Sequence, residues 1–402
     1  MAQEFETLRA LPTGDLVATA RLLGIENPAG QRRQDLVAQI VRERAGGGMV
    51  DAEGVLEILG DGFGFLRGPT SSFAAGGDDI YVSPSQIRRF NLRTGDLVRG
   101  QVRAPKESER YYALVKVERV NDLDPEVART KIHFDNLTAV WPSTPLRVGR
   151  TDPTCRLVDL LCPVFRGQRV LLSCPARAGR STLLTAMARG IAVNHPDVVV
   201  MLLLIGDRPE DITEAHESLG SLVFASAGDE GEARHVQLAD LVTERARRLV
   251  ELGRDVVLLV DSLTRLARAS QGSQAPCGRV LPGGIDAAAL SRVRSLFGAA
   301  RAVAEGGTLT VIAAAVEGGP FDRAVVEELS GLENHHLVLA GPGRLDLAAS
   351  RNYREPGDSA RRARLRDGLL GVPDVGAVLS AWPDDDALYD HLAPAGGPSQ
   401  PG

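Results

Sequence analysis

Apolar positions follow three different periods along the chain. Over the first 45 residues they recur at helical spacing: Leu16, Val17, Ala20 and Leu23 share one face, Gly24 is a stop signal, and the period resumes from Asp35 to Val41. Ala45-Gly46-Gly47-Gly48 breaks the pattern and predicts a linker. The spacing then changes to strand-sized stretches separated by turn residues: Val55–Leu59, Gly64–Arg67, Ile80–Val82, Asp96–Val102 and Tyr111–Val120. Five short strands in so little chain predict a small barrel of the OB type. From about 130 to 385 apolar runs at Arg169–Cys174, Val198–Ile205, Val256–Val260 and Leu309–Ala315 alternate with helical patterns at Ser181–Val193 and Leu238–Leu252. That alternation predicts a parallel sheet sandwiched by helices. The expected divisions are a helical subdomain over 1–47, a barrel over 48–125, an α/β domain over 130–390 and a disordered tail over 391–402.

Composition narrows the function classes. No apolar run is long enough to span a bilayer, and the acidic opening residues lack the apolar stretch of a secretory signal; the expectation is a cytoplasmic protein without membrane contact. Cys155, Cys162, Cys174 and Cys277 have no metal-ligand spacing and read as reduced thiols. The net charge of −6 makes any nucleic-acid site a local one, and charge alone points to Arg88-Arg89-Phe90-Asn91-Leu92-Arg93. Lysine is confined to Lys106, Lys116 and Lys131, in a chain rich in arginine.

Three motifs carry chemistry. Cys174-Pro175-Ala176-Arg177-Ala178-Gly179-Arg180-Ser181 follows a strand-like run and opens a helical one, the setting in which backbone N–H groups cradle phosphates. Gly179 keeps the tight turn and Ser181 is a candidate Mg²⁺ ligand, although Arg180 stands where lysine is usual. Asp255–Ser262 is an apolar strand closed by Asp261, the form that holds the Mg²⁺ of a nucleoside triphosphate; the alternative is an acid that caps the next helix. In the barrel region, Asp61-Gly62-Phe63-Gly64-Phe65-Leu66-Arg67, Tyr81 and Glu109-Arg110-Tyr111-Tyr112 alternate aromatics in the manner of a stacking platform for single-stranded bases. The competing use of Phe63 and Phe65 is to fill the barrel core.

Taken with Asp78–Asp96, Asn194–Asp197, Asp261–Ala269 and Phe297–Arg301, these stretches resemble the bacterial transcription termination factor Rho family, from about residue 7 to about 330. The resemblance implies a multidomain α/β chain: a small N-terminal helical piece, a cold-shock-like OB β-barrel and a RecA-like parallel α/β ATPase domain, assembled as a homohexameric ring. It implies that Phe63, Phe65, Arg67, Tyr81, Glu109 and Tyr111, with Asp61, Gly62, Gly64 and Arg110, bind single-stranded pyrimidine-rich RNA. Phe165, Arg166, Gly167, Gln168, Arg169 and Val170, together with Arg177, Ala178, Gly179, Arg180, Ser181 and Thr182, would hold ATP. Asp261 would serve Mg²⁺, Arg265 would sense it, and Arg279 would face RNA in a central channel. The RNA polymerase elongation complex would be the partner.

The departures from the family pattern are specific. Arg180 and Arg177 replace lysines; Asp207, beside Arg208, takes the place of the glutamate that polarises the attacking water and is one methylene shorter. The segment Val316–Asp322 is shorter than the family's second channel loop. A family arginine is absent near Ala340–Gly343, and the aromatic expected on adenine maps to Leu347, Ala348 or Ala349. Arg354, or Arg351, is the candidate arginine finger. Arginine-for-lysine drift accounts for Arg279 but poorly for Arg180, since a planar fork does not replace a compact point charge. Two readings follow: an attenuated RNA-dependent ATPase and helicase that terminates transcription, or an RNA-binding paralogue that regulates or joins an active Rho. A branch-migration or proton-pump relative that shares only the motor fold is disfavoured by the barrel motifs.

Overall fold

The computed structural model describes residues 4–46, 48–106, 109–149, 152–353, 359–370, 372 and 374–392. Among these residues no helix is long and apolar enough to cross a membrane.

The chain divides into two compact units. The first comprises Met1–Leu137, Phe224–Ser226 and Arg234–Leu252. Its helices Glu4–Ala10, Thr13–Leu22 and Arg33–Ala45 bury Phe5, Leu8, Leu16, Leu36 and Ile40 on one face, which shares a core with the barrel. The barrel strands are β1 (Met49–Ile58), β2 (Gly64–Arg67), β3 (Ile80–Val82), β4 (Leu97–Arg103) and β5 (Tyr112–Val120). They close in the order β1-β2-β3-β5-β4, with β3 and β5 parallel and β4 returning to β1. Between β3 and β4 lies the helix Pro84–Phe90, held by a capping box in which Ser83 and Gln86 satisfy each other's backbone N–H groups. This helix carries Arg88 and Arg89 of the expected basic patch, whereas Arg93 pairs with buried Glu251. The patch is therefore split between solvent and a structural ion pair.

Helix Glu232–Glu251 is the unexpected part of this unit, because its sequence position is inside the α/β region. Gly95, at φ +91, permits the contact: a Cβ there would lie 2.6 Å from the carbonyl oxygen of Glu244. Arg245 donates to Asn121 Oδ1 at 2.7 Å, Gln237 to Glu57 Oε2 at 2.9 Å, and the ring of Phe224 stacks on Phe73 at 5.2 Å.

The second unit holds a parallel sheet of β6 (Arg169–Pro175), β7 (Val199–Asp207), β8 (Asp255–Asp261), β9 (Thr308–Glu317) and β10 (His335–Gly341). The order is β7-β8-β9-β6-β10. The strands are almost continuous apolar runs because the sheet is covered on both faces. The last described helix, Asp385–Leu392, includes His391 and Leu392, so these two residues close a helix and do not open the expected tail; residues 393–402 lie outside the described residues.

Candidate functional sites

The barrel presents its aromatics outward. Along β2 Leu66 points into the core and Phe65 to the outer face, where Phe65 lies opposite Tyr81 of β3. Phe63, Phe65, Tyr81 and Tyr111 are all partly exposed. Their rings form one cluster: Phe65 meets Tyr111 at 4.9 Å, Phe63 meets Phe65 at 5.8 Å, and Phe63 meets Tyr81 at 5.7 Å. Gly62 takes φ +80 in the turn that delivers Phe63, and a Cβ on Gly64 would strike the Glu57 carbonyl at 2.7 Å. Asp61 and Gly62 are exposed at that turn. Arg110 lies over the ring of Tyr111 at 5.4 Å. Core filling is thus left to Leu56, Leu66, Ile80 and Val98, and the four rings are free to stack.

Two of the expected RNA contacts are committed elsewhere. Arg67 is buried, paired with Glu57 at 2.5 Å and with Asp79 at 3.7 Å; it lies on the same side of the strand as Phe65, and Glu57 stands directly across from Phe65. Glu109 forms a double contact with Arg103, at 2.5 and 2.8 Å, and that hydrogen bonding pulls its carboxyl down to about 2.

The nucleotide site forms at the carboxyl ends of β6, β7 and β8. The phosphate loop leaves β6, turns through Arg177 at φ 64 and Gly179 at φ 75, and enters the helix Arg180–Asn194. Ala178 is buried and Thr182 exposed. Arg180 Nε donates to Asp261 Oδ1 at 2.6 Å and Ser181 Oγ to Asp261 Oδ2 at 2.6 Å, so the phosphate loop and the acid of β8 meet as expected. Asp207, at the end of β7, accepts from Arg265, which also donates to the Ile205 carbonyl at 3.1 Å. Burial, reinforced by Asp261, pushes Asp207 up to about 6 against the pull of Arg265 and Arg180. Its second oxygen, Oδ2, is buried without a hydrogen-bond partner. Arg208 is exposed at the start of helix Pro209–Leu219.

Phe165–Val170 do not join this site. They sit at the opposite end of β6, a strand of seven residues, and thus roughly 20 Å from the phosphate loop. Arg166 there pairs with Asp255 at 2.5 Å and Asp197 at 2.7 Å, and Gln168 accepts from the Phe165 N–H at 3.0 Å. The segment pins strand starts, and its arginine is held by carboxylates. Arg279 is exposed, immediately before the loop closed by the Val280–Asp286 bridge. Gly283 of that loop packs so closely on the Pro320 carbonyl, 2.5 Å from a notional Cβ, that the two expected channel loops share a base. Leu347 is buried. Arg354 lies outside the described residues, and Arg351 is exposed on a short strand beside β10. The segment Ala340–Gly343, noted in the sequence for its absent arginine, comes up against the phosphate loop, which the sequence did not foretell: Gly343 N lies 3.6 Å from a notional Cβ on Gly179.

An outward aromatic face on a closed barrel and a phosphate loop at the carboxyl edge of a parallel sheet, in one chain, define an RNA-binding ATPase. The sequence comparisons agree with the geometry. Residues 7–48 match the model of the Rho termination factor N-terminal domain, residues 52–126 its RNA-binding domain, and residues 154–342 the nucleotide-binding domain of the ATP synthase alpha/beta family. The transcription termination factor Rho of Buchnera aphidicola subsp. Acyrthosiphon pisum is 47% identical over 375 residues, covering 91% of this chain and 88% of that protein. That of Escherichia coli (strain K12) is 50% identical over 341 residues, 83% and 81% of the two chains. The chain belongs to the Rho transcription termination factor family. Its fold is shared by an ATPase from a bacterial type III secretion system, at TM-score 0.50 and 20% identity over 64% of this chain and 82% of that one.

Proposed function

We propose that this protein is a Rho-type transcription termination factor that binds single-stranded, pyrimidine-rich RNA on Phe63, Phe65, Tyr81 and Tyr111 and moves along it with RNA-dependent ATP hydrolysis. The observation that carries the reading is the four-ring cluster held outside the barrel core. Aromatic faces accept any base; the preference for pyrimidines is what the resemblance to the Rho family implies. The cytoplasm is the compartment, a homohexameric ring the assembly, and the RNA polymerase elongation complex the partner.

The nucleotide site fits a Mg²⁺-nucleotide. Among the described residues no group of three or more metal-ligating side chains occurs, and Mg²⁺ held largely by water and phosphate does not need one. Ser181 and Asp261 would hold the ion, and Asp207, whose Oδ2 is buried without a hydrogen-bond partner, would orient a water. When bound, Mg²⁺ neutralises charge on the phosphates. The protein's own groups do the rest: the loop N–H groups bind, Arg265 fixes the Asp207 carboxylate, and Arg180 supplies positive charge.

A second reading, a paralogue that binds RNA and hydrolyses little while regulating or joining an active Rho, rests on the replacement of the phosphate-loop lysine by Arg180, whose guanidinium meets Asp261 at 2.6 Å. RNA-stimulated ATP hydrolysis on poly-pyrimidine RNA separates the two. RNA-dependent turnover by the natural protein supports the motor. Absence of turnover both in it and in Arg180→Lys, with RNA binding intact, supports the paralogue.

A further inference from the structure

Beside Tyr111 the barrel and the N-terminal helices enclose a groove of about 520 Å³. Arg32, Asp35, Gln39 and Arg42 line it from the helical side, Arg110 and Tyr112 from the barrel. Three guanidinium groups thus face a single carboxylate. Asp35 holds Arg32 through two hydrogen bonds, at 2.7 and 3.2 Å, which fixes the position of Arg32 without cancelling the surplus of positive charge. The barrel wall is preformed, since Tyr112 is buried and its hydroxyl donates to the Ala38 carbonyl at 2.9 Å. Arg110, over the Tyr111 ring, stands at the junction of aromatic platform and groove. The chain as a whole is acidic, so a local excess of arginine beside a stacking face is an electrostatic feature that the net charge conceals.

We propose that this groove is a second RNA subsite, taking the backbone phosphates of nucleotides that flank the base stacked on Tyr111. The N-terminal helices then hold the backbone while the barrel holds bases. The guanidinium fork matches phosphate geometry, and Gln39 offers an amide to sugar or phosphate oxygens. The inference rests on the RNA-binding reading of the aromatic face, and its test separates the two.

The probes are a cytidine dinucleotide, which reaches only the platform, and a cytidine hexamer, each titrated into the full-length protein at several salt concentrations. The hexamer is expected to bind the natural protein more tightly and with a steeper salt dependence. Replacing Arg32→Ala and Arg42→Ala together leaves dinucleotide affinity unchanged, weakens the hexamer on the order of tenfold, and lowers the log–log salt slope by about 1.4, which is about 0.7 for each lost phosphate contact. Both arginines are exposed, so the fold survives their loss. Gln39→Arg, which adds a cation to the same wall, strengthens the hexamer alone. Hexamer affinity and slope unchanged in the double variant would overturn the subsite, as would a hexamer that binds the natural protein no tighter than the dinucleotide. A natural protein that binds neither probe overturns the RNA-binding reading and this subsite with it.

Discussion

Arg180 and Asp261 are joined at 2.6 Å across the nucleotide site, and Ser181 takes the other carboxylate oxygen at the same distance. Both oxygens of the acid at the end of β8 are therefore engaged before any nucleotide arrives. Arginine stays charged at every accessible pH, so only a competing anion can draw the guanidinium away. Replacing Arg180 by lysine keeps the charge but removes the fork, and RNA-stimulated ATP turnover is expected to rise on the order of tenfold. Steady-state phosphate release checks this; equal turnover in both proteins would show that the fork does not limit the chemistry.

The buried carboxyl of Asp207 predicts a pH dependence. Its folded value of about 6 lies above the ordinary 3.8, because burial disfavours the charged form. Between those values the nucleotide-free folded protein holds a proton that the unfolded chain has released, so stability falls as pH rises through that window. The ionised form is the one that orients water, so kcat/KM is expected to rise with pH on a limb centred near 6. Asp207→Asn removes that limb and lowers turnover by about a hundredfold or more. A flat profile from pH 5 to 8 in the natural protein would remove Asp207 from the water-orienting role.

On the barrel, replacing Phe63 and Phe65 by alanine is expected to weaken oligopyrimidine binding by ~1–3 kcal/mol per base no longer stacked. Fluorescence anisotropy at fixed salt measures it, and thermal melting of the same variant should be nearly unchanged because neither ring is in the core. Arg67→Ala should behave in the opposite way: it strands the largely buried Glu57 and Asp79 without their cation, and melting temperature falls.

Gly95 supplies a stability test. A methyl group there would meet the Glu244 backbone at 2.5 Å while φ is +91, so Gly95→Ala is expected to cost ~1–3 kcal/mol in urea unfolding. Gly24 has a comparable φ of +75 but open space around it, so Gly24→Ala isolates the conformational part of the cost and should be the milder change. Equal effects at both sites would mean that the helix and barrel separate easily.

Local signals in the sequence reached the elements and the motif positions. Period changes marked the helical piece, the barrel and the parallel sheet, and a strand-to-helix turn marked the phosphate loop, since each is set by residues near one another in the chain. The capping box Ser83–Gln86 was an equally local signal, and it announces the helix that the basic patch obscured. What composition does not reveal is the partner of a charge. Arg67, Arg93 and Arg166 read as ligand-binding cations, but their carboxylates come from other strands and helices, in two cases from more than fifty residues away. The separation of Phe165–Val170 from the phosphate loop has the same origin: residues adjacent in a motif are carried to opposite ends of one strand.

Helix Glu232–Glu251 makes the RNA-binding unit discontinuous in the gene. A fragment ending near residue 125 would retain Gly95, Phe73 and Arg93 but lose Glu244, Phe224 and Glu251, which shield or neutralise them. The barrel core itself is closed without that helix, since the cluster that fills it runs from Phe5 to Val120; a single crossover in the linker would cost the barrel only these outer contacts. A graft that keeps those outer contacts carries the downstream helix with it, so the stretch of motor leading into β8 travels with the shielding of Phe73 and the neutralisation of Arg93.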